Sequence, residues 1–222
     1  MVPLGDSRFC GNRKPWALAR NLAVHWNSSF CKSKSLKSIG VALCRDRGAR
    51  NTEEESQMHI AEAVATRRSI RAFLDKPVPA ETLRRVLDQA RMTPSGCNFQ
   101  PWEATVLAGA SLKALQEKLL ASAPDNPMEY DFSAPGQVEK YQSRLRAVGA
   151  SMYAAMGIAR DDAEQRDNFA RANMVSFGAP VLLLCHFPKF MKEAQWSDVG
   201  MWLQTIMLLL RGEGLDSCPQ EY

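Results

Sequence analysis

At 222 residues the chain can hold one domain with a substantial core. Its 45% hydrophobic and 23% charged content is that of a soluble globular protein, and no apolar run approaches the roughly 20 residues that a membrane helix needs. The net charge of +4 is lopsided: residues 1–56 hold ten of the 28 basic and five of the 24 acidic residues, leaving 18 and 19 for the remainder, a net of −1, so no nucleic-acid face is implied for the domain.

Residues 1–57 stand apart. They show no sustained hydrophobic period, carry clusters such as CKSKSLKS and RDRGARN, and contain only Asp6 and Asp46 as acids before the run Glu53–Glu55. The preferred reading is an unstructured basic extension, or upstream sequence joined by a misplaced start. The alternative is an organelle transit peptide. Six cysteines (Cys10, Cys31, Cys44, Cys97, Cys185, Cys218) form no CxxC pair and no metal spacing with His25, His59 or His186, and are read as reduced thiols.

From Met58 the chain becomes periodic. Met58–Thr66 reads as a short helix with Ile60, Ala63 and Val64 on one face, delivering RRSIRAF (Arg67–Phe73) at its end. Three arginines and a serine within five residues make either a solvated basic helix end or an anion site, because guanidinium forks suit phosphate and carbonyl oxygens. A second helix, Glu81–Met92, places Leu83, Val86, Leu87 and Ala90 on one face. Then comes TPSGCNFQPW, Thr93–Trp102. Its two prolines and Gly96 break regular structure, making it either an ordinary turn or a loop of held geometry.

Glu103–Leu107 reads as a strand, and Ser111 as the cap of a helix to about Ala121. Ser122–Gly136 is irregular, with Met128, Tyr130 and Phe132 in a Pro/Asp/Asn-rich setting; it is either a surface loop or a lid. Val138–Met156 is helical with Tyr141, Leu145, Val148 and Met152 in one stripe, and Asp161 is expected to cap the next helix, to about Met174. Val181–Cys185 is a strand apolar on both faces. Ser197–Arg211 is a buried helix (Val199, Trp202, Leu203, Ile206, Leu210) ended by a left-handed cap at Gly212 or Gly214. GLDSCPQEY closes the chain.

RRSIRAF followed by SGCNFQPW, with SRLRAVGASMYAAMGIARDDAEQRDNFARANMVSFGAPVLLL and the GLxxCPQE turn downstream, resembles the flavin-dependent nitroreductase family from about Met58 onward. The resemblance implies an α+β fold, a mixed or antiparallel central sheet flanked by helices, with residues 1–57 outside it and 58–222 forming the FMN-binding domain. It makes Met58 a natural start. The family continues beyond GLxxCPQE into a further strand, phosphate-holding basic residues and an arm on the partner subunit, so the chain is expected to be truncated at its C-terminal end.

The resemblance further implies FMN as cofactor, NAD(P)H as co-substrate, and a homodimer with FMN at the subunit interface. Arg67 and Ser69 would hold the phosphate and ribityl end, and Arg71 would face the N1/O2 edge of the ring. Arg68 is a weaker candidate. Pro94, Ser95, Gly96 and Asn98 would reach FMN bound mainly by the other subunit, with Gln100 bonding locally and Trp102 anchoring the loop. Pro219, Gln220 and Glu221 would offer backbone groups near N5. No side chain is needed as an acid or base, and no metal, nucleic acid or membrane is implied. The expected activity is NAD(P)H-dependent, ping-pong hydride transfer through N5 to nitroaromatics or quinones, in the cytoplasm, or in mitochondria if residues 1–57 are a transit peptide. The alternatives are another reaction on the same fold (dehalogenation, enone reduction, flavin fragmentation) or a non-catalytic remnant. Dinucleotide-fold, Walker, GxSxG and HExxH signatures are absent.

Overall fold

The computed structural model describes residues 39–41, 58–122 and 134–221, all within one compact unit, Ser35–Tyr222. Residues 123–133, most of the Ser122–Gly136 stretch read as a surface loop or lid, lie outside them, as do Tyr222, Cys10, Cys31, Cys44 and most of residues 1–57.

Apolar periodicity sets the layers. Helix α1 (Ile60–Thr66) starts where the His59 ring accepts a hydrogen bond from the Ala61 N–H at 3.2 Å. Helix α2 (Ala80–Ala90) turns Val86 and Ala90 into the core, with Leu83 and Leu87 beside them. Strand β2 (Glu103–Ala108) runs straight into α3 (Gly109–Ala121). Ser111 does not cap α3: it lies inside the first turn, and its hydroxyl donates to the Ala108 carbonyl at 2.8 Å.

Helix α4 (Glu139–Ala155) forms where its stripe predicts, yet Tyr141, Leu145 and Val148 on that stripe are exposed. Helix α5 (Ala163–Arg171) is capped by Asp162, not Asp161, because it is Asp162 whose carboxylate accepts the Gln165 N–H at 2.9 Å. It also stops short of Met174; a 3-10 turn follows, with Ser176 and Phe177 at positive φ just before β3. Strand β3 (Val181–His186) pairs antiparallel with β2, from Glu103↔His186 to Ala108↔Val181.

Helix α6 (Glu193–Gly212) is the centre of the core. Val199, Trp202, Leu203, Ile206 and Leu210 are all buried, packed with Val86 and Ala90 of α2 and Val181, Leu183 and Cys185 of β3. It ends through Gly214, at φ +74°, with the Leu215 N–H returning to the Leu210 carbonyl at 2.9 Å. Strand β4 (Pro219–Glu221) comes next. The architecture is α+β, as expected.

One strand departs from the composition-based division. Strand β1 (Ile39–Val41) lies within the stretch set apart as an extension, yet it pairs antiparallel with β4 and lies beside β3. Strand pairing uses backbone groups, which neither basic composition nor charge clustering removes.

A buried ion pair ties the end of α6 to the segment that leads into β4. The Arg211 guanidinium bonds the Asp216 carboxylate at 2.5 Å and donates to the Thr66 hydroxyl at 3.3 Å, and the two charged side chains are only 5% and 6% exposed. Asp216→Ala would leave the guanidinium buried without its carboxylate. The expected loss is about 3–5 kcal/mol in urea unfolding, whereas Glu81→Ala, which breaks the exposed Arg84–Glu81 pair, should cost below about 1 kcal/mol. Equal small losses would contradict the burial of Arg211.

Candidate functional site

Thr66 ends α1, and Arg67 leaves it in an extended conformation (φ −57°, ψ 130°). The Arg68 side chain folds back, donating to the Ala65 and Arg67 carbonyls, each at 2.8 Å, so it satisfies helix-end acceptors. The backbone then runs beside residue 217: Ser69 and Ser217 form a parallel bridge, and the Ile70 N–H donates to the Ser217 carbonyl at 3.3 Å. The Arg71 guanidinium lies 5.9 Å from the Phe177 ring centre, and its Nη1 is 3.9 Å from the Met152 sulfur. A cation over an aromatic face is held by the ring quadrupole. Among the described residues, none of Arg67, Arg68 and Arg71 pairs with a carboxylate.

Arg67, Ser69 and Arg71, but not Arg68, lie close enough to act on the thiol of Cys218, which is fully buried. Burial pushes its thiol up from the ordinary range, against the opposing effects of Arg71, hydrogen bonds from Gln220 and Ser69, and Arg67. The Gln220 amide donates to the Cys218 sulfur at 2.9 Å. The Ser217 hydroxyl is buried with no partner among the described residues. Arg67, Ser69 and Arg71 are thus gathered with the Cys218–Gln220 turn, although some 150 residues separate the two segments.

The Thr93–Trp102 loop is a held structure. Thr93 is buried, and its hydroxyl donates to the Ala90 carbonyl at 2.8 Å where α2 ends. Gly96–Asn98 form a 3-10 turn, and Cys97, Asn98 and Gln100 all have positive φ (49°, 57° and 48°). Such angles cost non-glycine residues about 1–3 kcal/mol each and persist only where the surroundings enforce them. Four contacts do so. The Gly96 N–H donates to both oxygens of Asp198, a buried residue of α6, at 3.2 and 3.3 Å. The Gln100 N–H donates to the Ser95 hydroxyl at 2.9 Å, and its side-chain amide to that of Asn98 at 3.0 Å. The Trp102 ring stacks on Trp202 of α6, with centres 5.8 Å apart and planes 5° from parallel.

Pro94 and Asn98 are exposed, and the Ser95 proton and the Asn98 NH2 group remain available as donors. Among the described residues, no hydrogen bond joins this loop to Arg67–Arg71 or to 217–221. The predicted site residues therefore form two groups: one around Cys218, the other displayed on the loop.

Sequence reasoning missed Asp198, Met152 and Phe177. A lone acid on an apolar helix gives no sign that a loop amide sits above it, and the contacts that hold Arg71 come from elements roughly 80 and 105 positions away.

Residues 64–222 match the model of the Nitroreductase family. The chain is 36% identical over 159 residues to a 4-nitrobenzoate reductase of Pseudomonas putida, covering 71% of this chain and 70% of that protein. It is 33% identical over 156 residues to nitroreductase NfnB of Mycolicibacterium smegmatis, covering 69% and 67%. Among solved structures, it is similar to an FMN and NADPH-dependent nitroreductase NfnB from Sphigopyxis sp. strain HMH, with 44% identity, TM-score 0.70, and 73% and 75% of the two chains covered. The FMN-dependent NfnB from Mycobacterium smegmatis, solved in complex with NADPH, is 33% identical with TM-score 0.65, over 72% and 74% of the chains.

Asp198→Ala removes both acceptors from the Gly96 N–H. It should cost about 1–3 kcal/mol in chemical unfolding and open the 93–102 loop to limited proteolysis, whereas an unchanged cleavage pattern would show that the loop is held without it. The thiols supply a second check. Cys97 is exposed, whereas Cys185 is buried with its thiol pushed up to about 12, and Cys218 is buried and raised. Iodoacetamide at pH 8, followed by peptide mapping, should label Cys97 and spare Cys185 and Cys218 until denaturant is added.

Proposed function

The chain belongs to the nitroreductase family, and on that premise we propose that it is an FMN-dependent oxidoreductase that uses NAD(P)H to reduce nitroaromatic and related acceptors. The observation that carries the reading is the convergence of Arg67, Ser69 and Arg71 with the Cys218–Gln220 turn. The donor set suits FMN: two guanidinium groups and a hydroxyl for a phosphate monoester and a carbonyl-bearing ring edge, beside a turn that can offer backbone groups. The Ser217 hydroxyl, buried and unpartnered among the described residues, adds a polar atom within that turn.

In this reading Arg67 and Ser69 bind the phosphate and ribityl end, and Arg71 faces the N1/O2 edge of the ring. Phe177 and Met152 lie against the Arg71 guanidinium and favour one position for its charge, which lowers the reorganisation needed when negative charge develops opposite it. Pro219, Gln220 and Glu221 present backbone groups toward the reacting face. Arg68 contributes by closing α1 and not by contact. FMN, when bound, supplies the two-electron chemistry between the nicotinamide and the acceptor. The chain's own part is to bind, orient and stack the reactants, which requires no protein acid or base.

The 93–102 loop serves a second copy of the chain. Ser95 and Asn98 keep donors free at its tip, Pro94 packs there, and the Gly96 N–H is committed to Asp198, so that position contributes close approach and no donor. Exposed apolar side chains fit a homodimer: Ile60 and Val64 lie uncovered on α1, and Tyr141, Leu145 and Val148 lie uncovered along α4. Among the described residues no helix is long and apolar enough to cross a membrane, and the proposed location is the cytoplasm.

The purified protein should show a flavin spectrum at about one FMN per chain, bleached by NADH or NADPH without oxygen and restored by a nitrobenzoate. A protein that stays colourless after incubation with excess FMN would sink the reading. Arg71→Ala should lower kcat/KM on the order of tenfold to a hundredfold, with weaker FMN binding seen by fluorescence titration. Sedimentation should give twice the chain mass.

A further inference from the structure

We propose that Ile39–Val41 is a working strand of the flavin domain, one that positions the Pro219–Glu221 backbone at the site. Strand β1 lies outside the family match, which begins at residue 64, yet it occupies the sheet at the turn where the site converges. Its register is defined: Ile39 faces Glu221, Gly40 faces Gln220 and Val41 faces Pro219.

The chemistry of Pro219 decides which of these pairs carries the bonds. Directly opposed residues in an antiparallel ladder alternate between pairs that exchange two N–H···O bonds and pairs that exchange none. Pro219 has no N–H, so Val41·Pro219 is a non-bonded pair. Gly40·Gln220 is then the bonded pair, and Ile39·Glu221 is again non-bonded. The backbone of Gln220 is fastened by Gly40.

The turn is thereby held on two sides. Upstream, Ser217 is bridged to Ser69 and bonded to Ile70. Downstream, Gln220 is bonded to β1, which also lies beside β3. Without β1, the Gln220 N–H and C=O face solvent as an open strand edge, and only the Ser217 end stays fixed. Backbone groups that must meet a ring at a fixed distance need both ends held. The effect on FMN rests on the flavin reading above; the strand itself does not.

The full-length chain carries the test. Gly40→Pro deletes the bonding N–H, and Gly40→Ala keeps it. Gly40→Pro should abolish hydrogen-exchange protection in the peptide spanning 217–221 and raise the FMN dissociation constant at least about tenfold, with Gly40→Ala close to the parent protein. Should Gly40→Pro fail to fold, the pair Ile39→Cys with Glu221→Cys decides the strand. Non-bonded partners lie at about 4.5 Å between Cα atoms, within disulfide reach, so mild oxidation should join the two peptides. Thiols that never cross-link, or unchanged 217–221 exchange in Gly40→Pro, overturn the strand. A cross-linked strand whose disruption leaves FMN affinity unchanged overturns the positioning role. A parent chain that binds no FMN removes the flavin reading and that role together, while the cross-link and exchange results still decide the strand.

Discussion

Burial of one face of α6 is the constraint on which the rest depends. Val199, Trp202, Leu203, Ile206 and Leu210 leave water together, each worth about 1.5–3 kcal/mol against exposure. They bring α2 and β3 onto the helix. Because α6 is immobilised along its length, three of its side chains become fixed posts. Asp198 near its start grips the loop amide of Gly96, Trp202 supports Trp102 at that loop's far end, and Arg211 at its close binds Asp216, the residue before the Ser217–Glu221 segment. Site geometry is thus a consequence of core packing, transmitted through single side chains.

Two of those posts are charged and buried, which core packing alone disfavours. Each is matched by a specific partner: two contacts from one amide to the Asp198 carboxylate, and a carboxylate with a hydroxyl for Arg211. An apolar replacement of either pair would keep the volume and lose the direction. The strained angles of Cys97, Asn98 and Gln100 point the same way, since the loop is held in a shape its residues would not choose alone.

The helices were legible because period and burial coincide: all five apolar positions read from α6 are buried, and both strands read from apolar runs form and pair with each other. The stripe on α4 was legible as a helix but not as a surface, since period reports which residues share a face and not what covers it. The cap of α5 shifted by one residue because adjacent aspartates are equivalent in sequence, and only backbone geometry separates them. The β1 strand was missed although Ile39 to Leu43 is a short apolar run; its basic neighbours dominated the reading. Asp198 and Arg211 were illegible for a deeper reason: a charge on a helix is normally solvated, and nothing in the sequence marks these two as buried, whether the partner is distant, as Gly96 and Thr66 are, or only five residues on, as Asp216 is.

The β1–β4 pairing joins residues that lie roughly 180 positions apart, which puts the last fastening of the site among the longest-range contacts in the molecule. During synthesis at ~5–20 residues per second, the Ile39–Val41 strand waits roughly 9–36 s for its partner to be made. Through that interval the backbone groups of β1 lack their β4 partners, and an unpaired strand edge is a template on which another chain can pair. The cluster of charges around it, with Lys37 before and Arg45, Asp46 and Arg47 after, is of the kind that discourages such mispairing.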